Sequence, residues 1–167
     1  QMNPQITPLM PVLVSPWLSI HVSLIMMSYA LLAFIMLNGI LALCLRKKEP
    51  ENNVSENDDR QDNRIEQLTL VSRLLLYPAT FFLGAGIFLG AVWANVSWGR
   101  YWAWDPKEVW ALITFLVYGA AFHSQSLRIF RKPLFFHIYM ILAFLTVLMT
   151  YFGVNYVLGG MHSYANS

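Results

Sequence analysis

The sequence predicts an all-α membrane protein: a polytopic bundle of four transmembrane helices, with a tryptophan-rich segment facing outward between the second and third. Three observations lead there. Only 12% of the 167 residues are charged and 57% are hydrophobic, whereas a soluble domain carries about 25% charged residues. Four long apolar stretches interrupt an otherwise polar pattern, at roughly 17–45, 74–97, 109–127 and 134–158. The basic residues are gathered into alternate connections rather than spread along the chain. Together these make lipid the solvent of a single membrane domain covering 1–167.

Each stretch meets or nearly meets the roughly 20 residues that a helix needs to cross the hydrocarbon core. Ser15-Pro16 opens the first, with serine as N-cap and proline in the first turn. Asp105-Pro106-Lys107-Glu108 opens the third in the same way, with Asp105 as N-cap and Glu108 placed to complete a capping box. Pro133 fits the first turn of the fourth. The first stretch is too long for a cleaved signal peptide and lacks a basic lead. A chain that begins at Gln1 rather than Met reads as a processed piece or part of a longer protein.

Arg46, Lys47, Lys48, Arg60, Arg64 and Arg73 precede or open the second stretch, and Arg128, Arg131 and Lys132 lie between the third and fourth. Nine of the 11 basic residues thus fall in two alternate connections. The positive-inside rule puts both in the cytoplasm and leaves the termini and the 98–108 connection outside. Residues 46–66, RKKEPENNVSENDDRQDNRIE, have almost no apolar content and read as a flexible cytoplasmic linker. Cys44 is the single cysteine, which excludes an intrachain disulfide or a cysteine metal cluster. No catalytic triad, phosphate loop or nucleic-acid-binding pattern is present.

The informative segment is 93–110, WANVSWGRYWAWDPKEVW. Five of the six tryptophans, Trp93, Trp98, Trp102, Trp104 and Trp110, surround one connection. An interfacial aromatic belt explains one or two at a helix end. Five suit a broad, flat, apolar ligand, on which indole rings stack while their N–H groups reach polar edges. Arg100 and Lys107, the two basic residues on the outer side, are placed to meet carboxylates of that ligand, or else act as interfacial anchors. Gly99 lets backbone approach closely. Capping alone accounts for Asp105 and Glu108, and does not exclude a part in orienting a ligand.

Of the four histidines, His21 lies five residues past Pro16, about 7.5 Å into the first helix. His162 follows Gly159-Gly160 beyond the fourth. Both are outer, and together they suit the two axial positions of a haem iron. His123 and His137 sit at similar depth near the inner ends of neighbouring helices. Taken singly, each histidine is more often a hydrogen-bonded or interfacial residue than a ligand.

Three blocks in order carry a family resemblance. WGRYWAWDPKE at 98–108 resembles the WWD signature of haem-handling membrane proteins. PWLSIHVSLIMMSYALL at 16–32, WDPKEVWALITFLVYGAAFHSQ at 104–125 and FGVNYVLGGMHSYA at 152–165 look like the C-terminal half of the CcsA/ResC family, whose fused form is CcsBA. The likeness spans nearly the whole chain except 46–66. Met161 replaces the leucine often found before the last histidine.

The resemblance implies haem binding, export and presentation for covalent attachment to an apocytochrome c, within a cytochrome c synthase of the system II type. It implies haem b as a transiently held, substrate-like group bound by Trp98, Gly99, Trp102, Trp104, Asp105, Glu108, Arg100 and Lys107. It implies His21 and His162 as the outer axial ligands of iron. His123 becomes a ligand of an intramembrane site on the inward route, its partner supplied from a segment outside this sequence. His137 matches no ligand position. The implied partners are a CcsB/ResB-type protein or fused domain and an apocytochrome with a Cys-x-x-Cys-His motif. The implied location is a bacterial inner (plasma) membrane, with the thylakoid as alternative. Two other readings stay open: a CcmC- or CcmF-type haem chaperone that passes haem on, and a structural subunit whose tryptophans only anchor it.

Overall fold

The computed structural model describes residues 16–47, 56–123 and 126–158. Among the described residues there is helix and no strand. Helix α1 spans Pro16–Lys47, α2 Glu56–Trp98, α3 Pro106–Ala120 and α4 Pro133–Leu148, and α4 runs on into a π-wound segment, Met149–Leu158. Short 3-10 turns lie at Ala121–His123 and Arg128–Arg131.

Three helical stretches are long and apolar enough to cross a membrane: Pro16–Lys47, Arg60–Trp98 and Pro133–Tyr156. The chain is a multi-pass membrane protein. The lipid reading also follows from how little of these helices is covered. α1 buries one stripe, Ser28, Leu32, Ile35, Asn38 and Ala42, while Met27, Phe34, Leu37 and Leu41 on its other faces are exposed. A helix apolar all round with half its surface bare is stable only where hydrocarbon covers it.

The third stretch differs from expectation. Its α-helix starts at Pro106 and ends at Ala120, a length of about 22 Å at 1.5 Å per residue. That is shorter than the roughly 30 Å hydrocarbon core, and the 3-10 turn to His123 extends it.

The reading of 46–66 as a flexible linker is corrected in its second half. Residues 56–66 are the first three turns of α2, a helix of 43 residues. This polar run has no stripe to nucleate a helix. It continues one already formed by the apolar residues after it, and extending a helix avoids the cost of nucleation. Gln61 Nε2 donates to the Leu45 carbonyl, so the start of α2 satisfies one of the bare carbonyls at the end of α1. Residues 48–55 of that segment, and Ser15, lie outside the described residues.

α1 packs chiefly on α2 and then on α4. Leu32, Ile35, Leu76, Ala79, Tyr118, Phe136, Met140 and Val147 form the core where the four helices meet. Several polar groups at the helix contacts are paired across them. Ser28 Oγ donates to the Ala79 carbonyl (2.8 Å), and Asn38 Nδ2 to Ser72 Oγ (3.3 Å). Arg73 donates to the Phe130 carbonyl and sits 4.8 Å over the Phe136 ring, tying α2 to the turn before α4.

His137 belongs to this buried set. It is 1% exposed, and its Nε2 lies 2.8 Å from Thr69 Oγ1. The Thr69 hydroxyl also lies 2.7 Å from the Ile65 carbonyl. A carbonyl only accepts, so the single hydroxyl proton goes to Ile65, and Nε2–H of His137 donates to Thr69. His137 is a packing and hydrogen-bonding residue that joins α4 to α2.

Candidate functional site

The antiparallel run of α1 and α2 brings the start of α1 beside the end of α2. The start of α3 and the π-wound segment close the same end of the bundle. Between them lies a cavity of about 190 Å³, walled mostly by apolar groups: Leu18, Ile25, Ile87, Ala91, Trp93 and Ala111 among them. Its polar groups are few, and include His21, Trp102, Lys107 and Glu108. A largely apolar hollow with a few convergent polar groups is the usual form of a ligand site.

His21 is placed by two glycines of α2. Its Nδ1 is 2.7 Å from the Gly86 carbonyl oxygen. The acceptor settles the tautomer: Nδ1 carries the proton, and the lone pair of the neutral ring is on Nε2. The ring can come this close because position 90 has no side chain. A Cβ there would sit 2.7 Å from His21 Cε1 and 2.9 Å from Nδ1.

The connection from α2 to α3 is shaped by Glu108. Its Oε2 accepts from the backbone N–H of Asp105 (3.2 Å) and of Ala103 (2.8 Å). The Asp105 side chain accepts from Lys107 N (3.2 Å) and from the backbone N–H of Glu108, the second of which completes the capping box read from the sequence. Trp104, between the two N–H groups that share Glu108, has φ +57°. A non-glycine residue there costs roughly 1–3 kcal/mol, and the converging N–H groups around one carboxylate oxygen hold it in place. Gly99 turns the chain out of α2 with φ +73°.

The tryptophans divide. Trp93 is buried, packs edge-on against Trp98 (ring centres 5.0 Å apart) and lines the cavity. Trp102 lines it too and meets Trp104 edge-on at 6.0 Å. Trp104 itself is 73% exposed. Trp98, Gly99, Arg100, Trp104 and Asp105 stand around the cavity without lining it. Lys107 Nζ donates to Asn155 Oδ1 in the π-wound segment (3.2 Å). Burial pushes the Lys107 ammonium below the ordinary lysine range, and the Asp105 carboxylate partly offsets that.

His123 is exposed in the turn after α3. It lines neither this cavity nor a second one of about 750 Å³ between Arg46, Asp62, Glu66, Lys132 and His137 at the opposite end. His162 lies outside the described residues. Sequence reasoning missed Tyr29, Gly86, Gly90, Tyr101, Thr150, Tyr151 and Asn155. A small-residue spacing on α2 (Gly84, Gly86, Gly90) was the one signal available for the two glycines at His21.

The cytochrome c assembly protein family matches residues 1–162. The chain is 42% identical over 163 residues to the protein NrfI of Wolinella succinogenes, covering 98% of this chain and 18% of that one. It is 40% identical over 162 residues to the cytochrome c biogenesis protein CcsA of Chlamydomonas reinhardtii, covering 96% and 44%. It is 36% identical over 179 residues to the CcsA of Synechococcus sp. strain CC9902, covering 94% and 58%. The chain therefore spans between about a fifth and three fifths of the length of these relatives. Three ordered motif blocks, the membrane helices and this likeness agree: the chain belongs to the cytochrome c assembly protein family.

Proposed function

We propose that the cavity at the tryptophan end binds haem on the outer side of the membrane and presents it for covalent attachment to an apocytochrome c. The observation that carries this reading is the His21 geometry. A neutral imidazole, anchored through Nδ1 on a backbone carbonyl, has its lone pair on Nε2 and gains basicity from the anchor. That is what an axial ligand to iron requires. Trp93, Trp102 and the apolar walls suit a macrocycle face.

In this reading His162, from the GMHSYA block, is the second axial ligand, and His123 serves an inner site on the way in. Two imidazoles fill both axial positions and slow reaction with oxygen. The histidine of an incoming Cys-x-x-Cys-His segment displaces one of them. Each cysteine S–H then adds across a haem vinyl group, sulfur to one carbon and hydrogen to the other, so no oxidant is consumed. The protein contributes placement rather than a nucleophile. The third stretch crosses from residue 109 inward, giving four spans with both ends of this chain outside, in a bacterial inner membrane or a thylakoid. A CcsB/ResB-type protein or domain completes the synthase.

The test is the reduced absorption spectrum of the full-length protein purified in detergent, beside His21→Ala and His162→Ala. A bis-histidine spectrum in the parent is expected, with haem lost from each variant and regained when imidazole is added. An unchanged haem content in both variants, or none in the parent, would remove the assignment and favour tryptophans that only anchor the chain. Haem that is bound but never transferred to an apocytochrome would favour the chaperone reading.

A further inference from the structure

The end of the bundle opposite the tryptophans holds the larger hollow, of about 750 Å³, and none of the residues lining it is assigned to haem. Its walls come from the last turns of α1, the start of α2, and the first residues of α4 with the turn before them. Arg46 and Lys132 line it beside Asp62 and Glu66, so cations and carboxylates face one space in equal number. All four side chains are exposed. Among the described residues, none of the four makes an ion pair or a side-chain hydrogen bond. Opposite charges held apart across water attract each other weakly. A group that carries both signs on neighbouring atoms meets all four at once.

The depth of the hollow indicates what kind of group that is. The membrane-crossing stretches run Pro16–Lys47, Arg60–Trp98 and Pro133–Tyr156, and Arg46, Asp62 and Lys132 each lie within two residues of an end of one of them. Arg46 is about 45 Å beyond Pro16 along α1 at 1.5 Å per residue. A bilayer with both headgroup layers is roughly 40–45 Å thick. With Pro16 in one headgroup layer, the four charges therefore sit in the other. Leu43 and Leu134, nearer the middle of their helices than Arg46 and Lys132, give the hollow an apolar side toward the membrane.

We propose that this hollow binds one phospholipid with a zwitterionic phosphoethanolamine headgroup. Arg46 and Lys132 receive the phosphate, Asp62 and Glu66 receive the primary ammonium, and the acyl chains leave over Leu43 and Leu134. Guanidinium and ammonium donors suit phosphate oxygens, and basic pockets between helix ends take up lipid headgroups. A primary ammonium has three N–H donors for carboxylates that only accept. A choline headgroup has the charge without the donors. A glycerol headgroup has no cation and leaves both carboxylates unmet. Because three helices supply the lining, the bound lipid ties their ends together and stabilises the bundle by mass action.

The full-length protein in detergent is titrated with phosphatidylethanolamine, phosphatidylcholine and phosphatidylglycerol of identical acyl chains, and with soluble glycerophosphoethanolamine. Native mass spectrometry counts what is bound. The parent is expected to hold phosphatidylethanolamine about tenfold more tightly than either other lipid, and glycerophosphoethanolamine far more weakly. The double variant Asp62→Asn, Glu66→Gln should lose that preference and take phosphatidylglycerol at least as well. The double variant Arg46→Gln, Lys132→Gln should bind all three lipids more weakly. Helical circular dichroism reports the folding of each variant, and the selectivity of the parent is a test that needs no variant. Equal binding of the three lipids by the parent would overturn the inference, as would an unchanged preference in both variants. Glycerophosphoethanolamine bound as tightly as the lipid would also overturn it, and would make the ligand a soluble phosphoamine.

Discussion

His21 and Gly90 occupy one volume: the imidazole lies where the side chain of any other residue at position 90 would be, 2.7 Å from the position of its Cβ. The contact lets Nδ1 reach the carbonyl of Gly86, one turn earlier on the same helix. Gly90→Ala should push the ring off that carbonyl, free its tautomer and weaken haem retention by about ten- to a hundredfold, the usual effect of losing a ligand's supporting bond. Spectral titration with haem reads the loss, and helical circular dichroism should stay unchanged. Full haem affinity in Gly90→Ala would show that the close approach is packing alone.

Asp105 and Glu108 act first on the loop. Asp105→Ala removes a cap and should cost about 1 kcal/mol of stability. Glu108→Ala should cost more, since two backbone N–H groups lose their acceptor and Trp104 loses what holds its positive φ. Hydrogen exchange at Ala103 and Asp105 should speed up in Glu108→Ala and change less in Glu108→Gln, which retains an acceptor oxygen. Equal exchange in parent and Glu108→Ala would refute this account.

Thr69→Val deletes the acceptor that His137 depends on and leaves a buried N–H unpaired. A loss of about 1–3 kcal/mol in detergent is expected, with haem binding at the outer cavity unaffected. Nitrogen-15 spectra of the histidines in the parent should report Nε2 as the protonated nitrogen of His137. A protonated Nδ1 would reverse the assigned hydrogen-bond direction.

Lys107 links pH to both stability and binding, with opposite signs. Its folded pKa lies below the ordinary lysine value because burial disfavours the cation. Between the folded and unfolded pKa values the unfolded chain holds more protons. Stability without ligand therefore rises with pH through that window, and falls to its lower plateau below the folded pKa. Recognition of a carboxylate needs the cation, so haem affinity should drop as pH rises through the lowered pKa, before ordinary lysines near 10.4 titrate. Lys107→Arg should flatten both profiles. A parent affinity constant to pH 10.5 would exclude Lys107 from carboxylate binding.

Much of this was legible in the residues. Low charge and long apolar runs mark the helices because the hydrocarbon core demands length and apolarity and little else. The Asp105 cap could be read because capping is local: the residues that make it lie within four positions of each other. The α2 extension to Glu56 was not readable, because a polar helix that continues an apolar one has no signal of its own. His137 illustrates the reverse difficulty. Its spacing from Lys132 resembles that of His123 from Arg128, yet one is buried against Thr69 and the other exposed.

What the sequence by itself determined is the solvent, the helices, the family and the chemical kinds gathered at the tryptophan end. Those follow from composition, periodicity and short-range spacing. Tertiary structure alone decided which of those groups share a cavity and in what state. His21 and Gly86 are 65 residues apart in the chain, and Lys107 and Asn155 are 48 apart. Only helix packing brings such pairs within hydrogen-bond reach, and only that contact decides which nitrogen of His21 carries the proton.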